Sequence, residues 1–488
     1  MATSSVLPAE LWIEILMRSS LEGAVNMYQT SSAFRSLVQS NQRILTVTWY
    51  TFPFDLPIGM TPENPPPNFL GLAVQAVRLR ERLKQADITK TLIPLAHTAH
   101  SLPSICSDDE DDEPHNIEYP FVFGDIIVYA WTDPDNHPLR TIIVADLKNE
   151  TRRLDIPTWV IDSFYCQMLD DNSTLRISTI CWDGHNDALT VHDYALSESE
   201  IRHAKHLLDT PIPPSVSIGN SPITEGDFVF VPGGSSLLVA NMRAYTGLHL
   251  TFDGIQSIHR VRVHSDRRSI IVEFKDESDH HIHFSILPIP LAMPVLFSRH
   301  EDSQSGEWQW PVEHISLVSV FSYPTGFQSP DIPMPADVVI TRSMSSGASL
   351  ASLNSNIMEI IRHSTQSLDR SQPHVIERIS VSINPWSIQS TILQPAAGPP
   401  PNFEILRVRG TQERYSSHAA LIMIGETVGE GIYVLRTEKN DGMNWLHLNL
   451  PSSIDPSMKT TEVAIWGFDM TGGRLFVYLQ DKLHVFYY

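Results

Sequence analysis

From Tyr119 to the C-terminus the chain consists of short runs of β-branched and aromatic residues broken by turn residues, with few helical patterns between them. FVFGDIIVYAW (121–131), RTIIVADL (140–147), TLRISTICWD (174–183) and ALTVHDYAL (188–196) open the series. DFVFVPGG (227–234), SSLLVANM (235–242), IHRVRVHSD (258–266), RSIIVEFKD (268–276) and HIHFSILPI (281–289) continue it. RISVSINPW (378–386), FEILRVRG (403–410), AALIMIGETV (419–428), GIYVLRTE (431–438), EVAIWGFDM (462–470), GRLFVYLQD (473–481) and LHVFYY (483–488) complete it. Val, Ile, Phe, Tyr and Trp suit a pleated, half-buried surface, and the Asp, Gly and Asn between them supply turns. One strand in every roughly 10–15 residues leaves little room for crossover helices, which argues for an all-β body rather than βαβ units.

Several segments share a local grammar. Residues 177–194 and 475–487 each read as a strand, a turn with Asp, Gly or Asn, and a further strand ending in LTVHDY or LHVFY. Strand–turn–strand units repeated over about 370 residues predict a β-propeller with about six to eight blades of roughly 40–50 residues. The G-H…W-D signature of WD repeats is missing, so the repeat is degenerate. A pair of β-sandwiches is the alternative architecture.

The N-terminal part follows another period. Pro8 suits a first helical turn, where its missing N–H costs nothing. Leu11, Trp12, Ile15 and Leu16 follow at i, i+1, i+4, i+5 spacing, one stripe of a short amphipathic helix. Glu10 and Glu14 lie off the stripe, and Glu10 complements the helix dipole. Ser19 and Ser20 interrupt the pattern. A second helix is expected over 22–29, with Ala24, Val25 and Tyr28 inward, and a third over 31–38, carrying Phe34, Leu37 and Val38. Three short helices in about 40 residues bury little surface, and neither a disulfide nor a metal site staples them. An apolar groove on another protein, read by helical anchors, is the expected complement; packing on the chain's own body is the alternative.

The opening L-P-x-E-L at 7–11, followed about twenty residues later by S-x-F-R-x-L at 32–37, resembles an F-box. Thr30, Ser31, Phe34, Arg35 and Leu37 meet that family's later V-S/C-x-x-[WF]-R signature, with Thr30 in place of valine and Phe34 in place of the commoner tryptophan. Gly23 is unusual early in the second helix. The resemblance implies docking on a Skp-type adaptor of an SCF-type cullin–RING ubiquitin ligase through Leu7, Pro8, Leu11, Ile15, Leu16, Phe34 and Leu37. It implies an F-box over 1–50, a linker and helical connector over 51–100, and a propeller-like body over 101–488 that binds a target protein. On this reading the chain is a non-catalytic receptor subunit. The alternative is a propeller scaffold outside any ligase, its helices capping the body.

Composition narrows the rest. At 488 residues the chain exceeds one compact core. No stretch reaches the ~18 apolar residues a membrane helix needs, and Glu10 and Glu14 stand where a secretory signal would be apolar. Three widely spaced cysteines, Cys106, Cys166 and Cys181, fit a reducing compartment, cytosol or nucleus; the sequons at Asn149 and Asn172 are then chance matches. Residues 1–100 carry 8 Lys+Arg against 7 Asp+Glu, which leaves 26 against 49 for the remainder. A body this acidic repels phosphate backbones, so nucleic-acid binding is not expected.

Residues 51–67 are proline-rich and extended. Residues 68–85 form a helix with Phe69, Leu72, Ala73, Ala76 and Leu83 on one face and Arg78, Glu81, Arg82 and Lys84 on the other. The run SDDEDDEPHNIE (107–118) lacks calcium-loop spacing and reads as a solvated loop. Residues 327–370 read as an insertion with a short helix at about 354–362, and 394–402 as a proline-rich spacer. No nucleophile elbow, P-loop, dinucleotide fingerprint or HExxH occurs, so no cofactor or catalytic residue is assigned. His281 and His283 share a strand face beside His280, without an identifiable third metal ligand.

Overall fold

The body is a ring of sheets, antiparallel but for one edge strand, and its last sheet is completed by a strand from the start of the body. The computed structural model describes residues 7–488 apart from 51–53, 55, 87–89, 103–116, 133–139, 159, 170, 183–186, 219–220, 265–267, 277–280, 291, 297–309, 325–341, 344–356, 365–374, 384–385, 394–403, 407–421, 426, 438–442, 452–453, 460–462, 470–471 and 481. Among the described residues the strands form seven sheets, six four-stranded and one five-stranded. These are the blades of a β-propeller, spanning 117–158, 160–211, 223–252, 255–288, 342–393, 404–448 and 464–487. First strands of neighbouring blades touch along the middle of the ring, from blade 7 to 1, 1 to 2, 2 to 3 and 3 to 4. Apolar cores lie between blades: Ile126, Val128 and Val144 of blade 1 pack with Phe164, Leu175 and Ile177 of blade 2. Blades 2 and 3 share Ile180, Leu189, Val229 and Leu238, and blades 7 and 1 share Trp466, Phe476, Tyr129 and Ile143.

The seventh blade takes its outer strand from Ala96–Ser101, which pairs antiparallel with Lys482–Tyr487. The ring is therefore closed by hydrogen bonds between the start of the body and its end. A second exchange joins blades 3 and 4. After His281–Pro288 the chain returns to the rim of blade 3, where Val312–Ile315 lies parallel to Thr246–Phe252, and then adds Phe321–Pro324 to blade 4. Trp310 anchors this excursion, buried between blades 2 and 3 with its Nε1 donating to Pro211 O at 2.9 Å.

The two segments with a shared grammar occupy equivalent places: both are the second and third strands of a blade, in blades 2 and 7. The helix expected at about 354–362 is instead a strand, Ile357–Ser364, in the middle of blade 5. Its run of Ile and Met fits either state locally, and pairing on both edges decides it. Of the acidic run 107–118, only Ile117 and Glu118 are described, as the start of the first strand of blade 1. Residues 394–402 and Cys106 lie outside the described residues; Cys166 is buried and Cys181 half-buried.

Arginines bridge blades. Arg474, which opens the second strand of blade 7, holds Asp469 through Nε at 2.8 Å and Asp125 in blade 1 through Nη1 at 2.8 Å. Arg176 of blade 2 grips Asp193 with two nitrogens, at 2.8 and 3.0 Å, and donates to Gly226 O in blade 3. Planar, bidentate guanidinium pairs are the strong form of such contacts.

Five helices precede the ring: α1 (Ala9–Met17), α2 (Leu21–Thr30), α3 (Ser32–Ser40), α4 (Gln42–Trp49) and α5 (Phe69–Gln85). Ser20 and Ser31, which break the apolar pattern, are N-caps, accepting from Gly23 N at 3.1 Å and Phe34 N at 3.3 Å. Helix α4 was not expected from sequence. Its Ile44, Leu45 and Trp49 complete a core with Leu16, Leu21, Ala24, Val25 and Val38.

Helix α5 belongs to two cores at once. Phe69, Ala73, Ala76 and Val77 close the helical core, while Leu83 and the following Ala86 and Leu92 pack with Val434, Leu475, Phe486 and Tyr488 of blades 6 and 7. Glu22 of α2 receives Lys84 of α5 at 3.0 Å. Gly473, at φ +62°, turns blade 7 beneath α5, and a Cβ there would lie 2.7 Å from Leu79 Cδ1. A second tie is Asn172, whose Nδ2 donates to Leu56 O and Pro57 O. Asn172 and Gly473 both sit in turns between the first and second strands of their blades, so the helices rest on one end of the propeller.

Candidate partner-docking face

Helix α1 has two apolar faces. Leu16 is 1% exposed and faces α2 and α4, with Ile13 and Met17 partly buried beside it. Leu11 and Ile15 point the other way, 49% and 46% exposed, and Leu7 ahead of the helix is 41% exposed. Spacing of four residues places Leu11 and Ile15 in one row along the helix. Pro8 is exposed beside them. Trp12 and Phe34, both half-buried, meet edge-to-face with ring centroids 4.9 Å apart and join the row to α3. Edge-to-face pairs contribute about 1 kcal/mol beyond their area, which fixes the angle between the two helices.

The residues named from sequence therefore separate. Leu7, Pro8, Leu11 and Ile15 lie on one open surface, with the half-buried Phe34 at its edge. Leu16 is inside the chain's own helical core, and Leu37 packs partly against that core. Leu16, 1% exposed, lies beneath the face rather than on its open surface. Sequence could not separate Leu16 from Ile15, because adjacent residues on a short helix are divided only by what packs against each side.

The surrounding polar groups are weakly committed. Glu14 and Arg18 approach at 3.9 Å, both largely exposed, a pair contributing at most about 1 kcal/mol. Arg35 lies over the Tyr28 ring at 5.8 Å. At the other end of the module, a hydrogen bond from Lys84 holds the Glu81 carboxyl below its ordinary range.

Elsewhere, two histidine groups stand out among the described residues. His281 and His283 share a face, and His283 pairs with Ser319 Oγ at 2.9 Å; His280 lies outside the described residues. On blade 2, His192 Nδ1 is 3.0 Å from His203 Nε2, and its ring stacks on His206 at 4.7 Å. Burial first, then the neighbouring His206 and His203, push the His192 imidazole down to about 4. Among the described residues no group of three His, Cys, Asp or Glu is arranged to hold a metal ion, and no helix is long and apolar enough to cross a membrane.

No family model matches the chain, and no curated protein matches it significantly. Solved structures similar to it include hydrazine synthase of Kuenenia stuttgartiensis (7% identity, 75% of this chain and 93% of that one, TM-score 0.38). The β-propeller domain of the Trilobed protease from Pyrococcus furiosus is another (10% identity, 76% and 94%, TM-score 0.35). A prolyl endopeptidase is a third (12% identity, 94% of this chain and 51% of that one, TM-score 0.37), so this chain spans about half its length. The chain's own seven sheets and five helices, among the described residues, define its class, a mainly-β propeller with a small N-terminal helical module. The expectation of a non-catalytic chain is corrected. Several similar structures are enzymes, peptidases and a lyase among them, so a body of this build gives no ground for excluding catalysis. At such low identity they assign this chain no reaction either.

Proposed function

We propose that the chain is the target-recruiting subunit of an SCF-type cullin–RING ubiquitin ligase, its helices docking on a Skp-type adaptor as an F-box and its propeller holding a target protein. The observation that carries this reading is the exposure of Leu7, Leu11 and Ile15. Three large apolar side chains, two on α1 and one just ahead of it, each left 41–49% exposed, form the anchor pattern that an apolar groove reads. The matches at 7–11 and 32–37 add the kind of partner. Helix α5, seated in both cores, makes the tether stiff, which raises the effective concentration of a bound target beside an adaptor-held enzyme.

The shared α5 also favours a second reading, a propeller scaffold whose helices cap one end of the ring. Deleting residues 1–50 does not separate the two, because either way it uncovers Ala73, Ala76 and Val77. Capture does. Purified full-length chain retains the adaptor on beads, and the Leu7→Ala/Pro8→Ala variant retains much less while melting at the same temperature. Equal retention by both would remove the ligase reading and leave the scaffold.

A further inference from the structure

We propose that the strand closing the propeller is an acid-sensitive latch, operated by the His97–His484 pair. The strand Ala96–Ser101 supplies the outer edge of blade 7, pairing residue by residue from Ala96 opposite Tyr487 to Ser101 opposite Lys482. Its side chains are mostly exposed, so it is held by backbone hydrogen bonds with little apolar burial, the condition for a segment that opens locally. The apolar contact it does make is a stack. The His97 ring stacks on Phe486 at 4.7 Å and meets His484 edge to edge, nearly in one plane, with centroids 5.1 Å apart. His97 Nε2 and His484 Nδ1 are 2.8 Å apart.

That distance needs a lone pair on one nitrogen. The His484 ring also bonds to the Leu479 backbone, which favours its protonated form. With both rings neutral, one of the two nitrogens carries the proton and the other accepts it. Protonating both rings leaves two N–H groups facing each other and two positive charges edge to edge. Desolvation first, then His97 and Lys482, depress the His484 imidazole below its ordinary value. The other titratable groups along the seam are His100 on the closing strand, near Glu150 and Asp125 of blade 1, and Tyr487 opposite Ala96. The sign follows. A histidine whose folded value is lowered stabilises the closed seam fully above about pH 6.5, and that contribution is lost as pH falls. The seam loosens toward acid while α5 keeps its own hold on blades 6 and 7 through Leu83, Ala86 and Leu92.

Hydrogen exchange read by mass spectrometry on the full chain tests this, at pH 7.5 and 5.5, with rates corrected for intrinsic pH dependence. Protection over 96–101 and 482–487 is expected to fall about tenfold relative to the blade 2 strand Thr174–Trp182. In His97→Gln, whose altered side chain lies on an exposed strand, and in His484→Gln, the fall should disappear. An equal fall in wild type and both variants, or none in wild type, overturns the proposal.

Discussion

Replacing Leu11 and Ile15 together by alanine separates docking from folding more sharply than any other change in the helical module. Each side chain is about half exposed, so a partner groove has roughly half of each left to bury. Full burial of a Leu or Ile stabilises by about 1.5–3 kcal/mol, so docking gains about 1 kcal/mol from each. Losing both costs about 2 kcal/mol, a roughly 30-fold rise in Kd for the adaptor. Stability should stay within about 0.5 kcal/mol, since both are surface positions and alanine is the better helix former. Leu16→Ala is the mirror experiment. It opens a cavity in the helical core, costs about 2–5 kcal/mol, and should lower adaptor affinity only as far as the module unfolds. Calorimetric titration with purified adaptor, beside circular dichroism melts of each variant, reads both quantities. If Leu11→Ala/Ile15→Ala binds within twofold of wild type while remaining folded, the exposed row is not the docking surface and the argument fails.

Three further outcomes follow from the ring. Arg474→Met leaves Asp469 and Asp125 facing each other without the guanidinium between them; urea denaturation should show a loss of about 3 kcal/mol, larger than that of Asp125→Asn. Gly473→Ala forces an L residue to φ +62° with its Cβ against Leu79; a loss of about 1–2 kcal/mol in the same assay is expected, and no loss would mean that α5 does not press on this turn. His192 is held neutral by burial and by its two histidine neighbours. Its contribution is therefore complete above about pH 6.5 and drains away as pH falls toward 4. The melting temperature of His192→Gln should decline less than that of wild type over this window, and parallel declines would count against the cluster.

The amphipathic period of residues 68–85 located α5 to within a residue, because a 17-residue helix with one apolar face leaves little ambiguity. The alternation of β-branched runs and turn residues located most strands for the same reason. It failed at 357–364, where an apolar run fits a helix or a central strand equally and only neighbours on both edges choose. Helix α4 was missed because Gln42 to Trp49 has a short stripe following a residue, Asn41, that makes no side-chain cap. At the candidate site the residue types were legible, since Leu, Pro, Ile and Phe at helical spacing announce an apolar contact. Which of them face outward was not legible, because Ile15 and Leu16 differ only in the packing of α2 and α4 against one side of α1.

Local period and turn chemistry act between residues a few positions apart, so the sequence by itself determined that short helices come first and a repeating all-β body follows. The number of blades, the use of Ala96–Ser101 to close the ring, the return of Val312–Ile315 to blade 3 and the double seat of α5 depend on contacts between residues up to hundreds of positions apart. Tertiary structure alone decided those, because an edge strand takes whichever partner the ring brings beside it, and nothing in its own residues records which one that is.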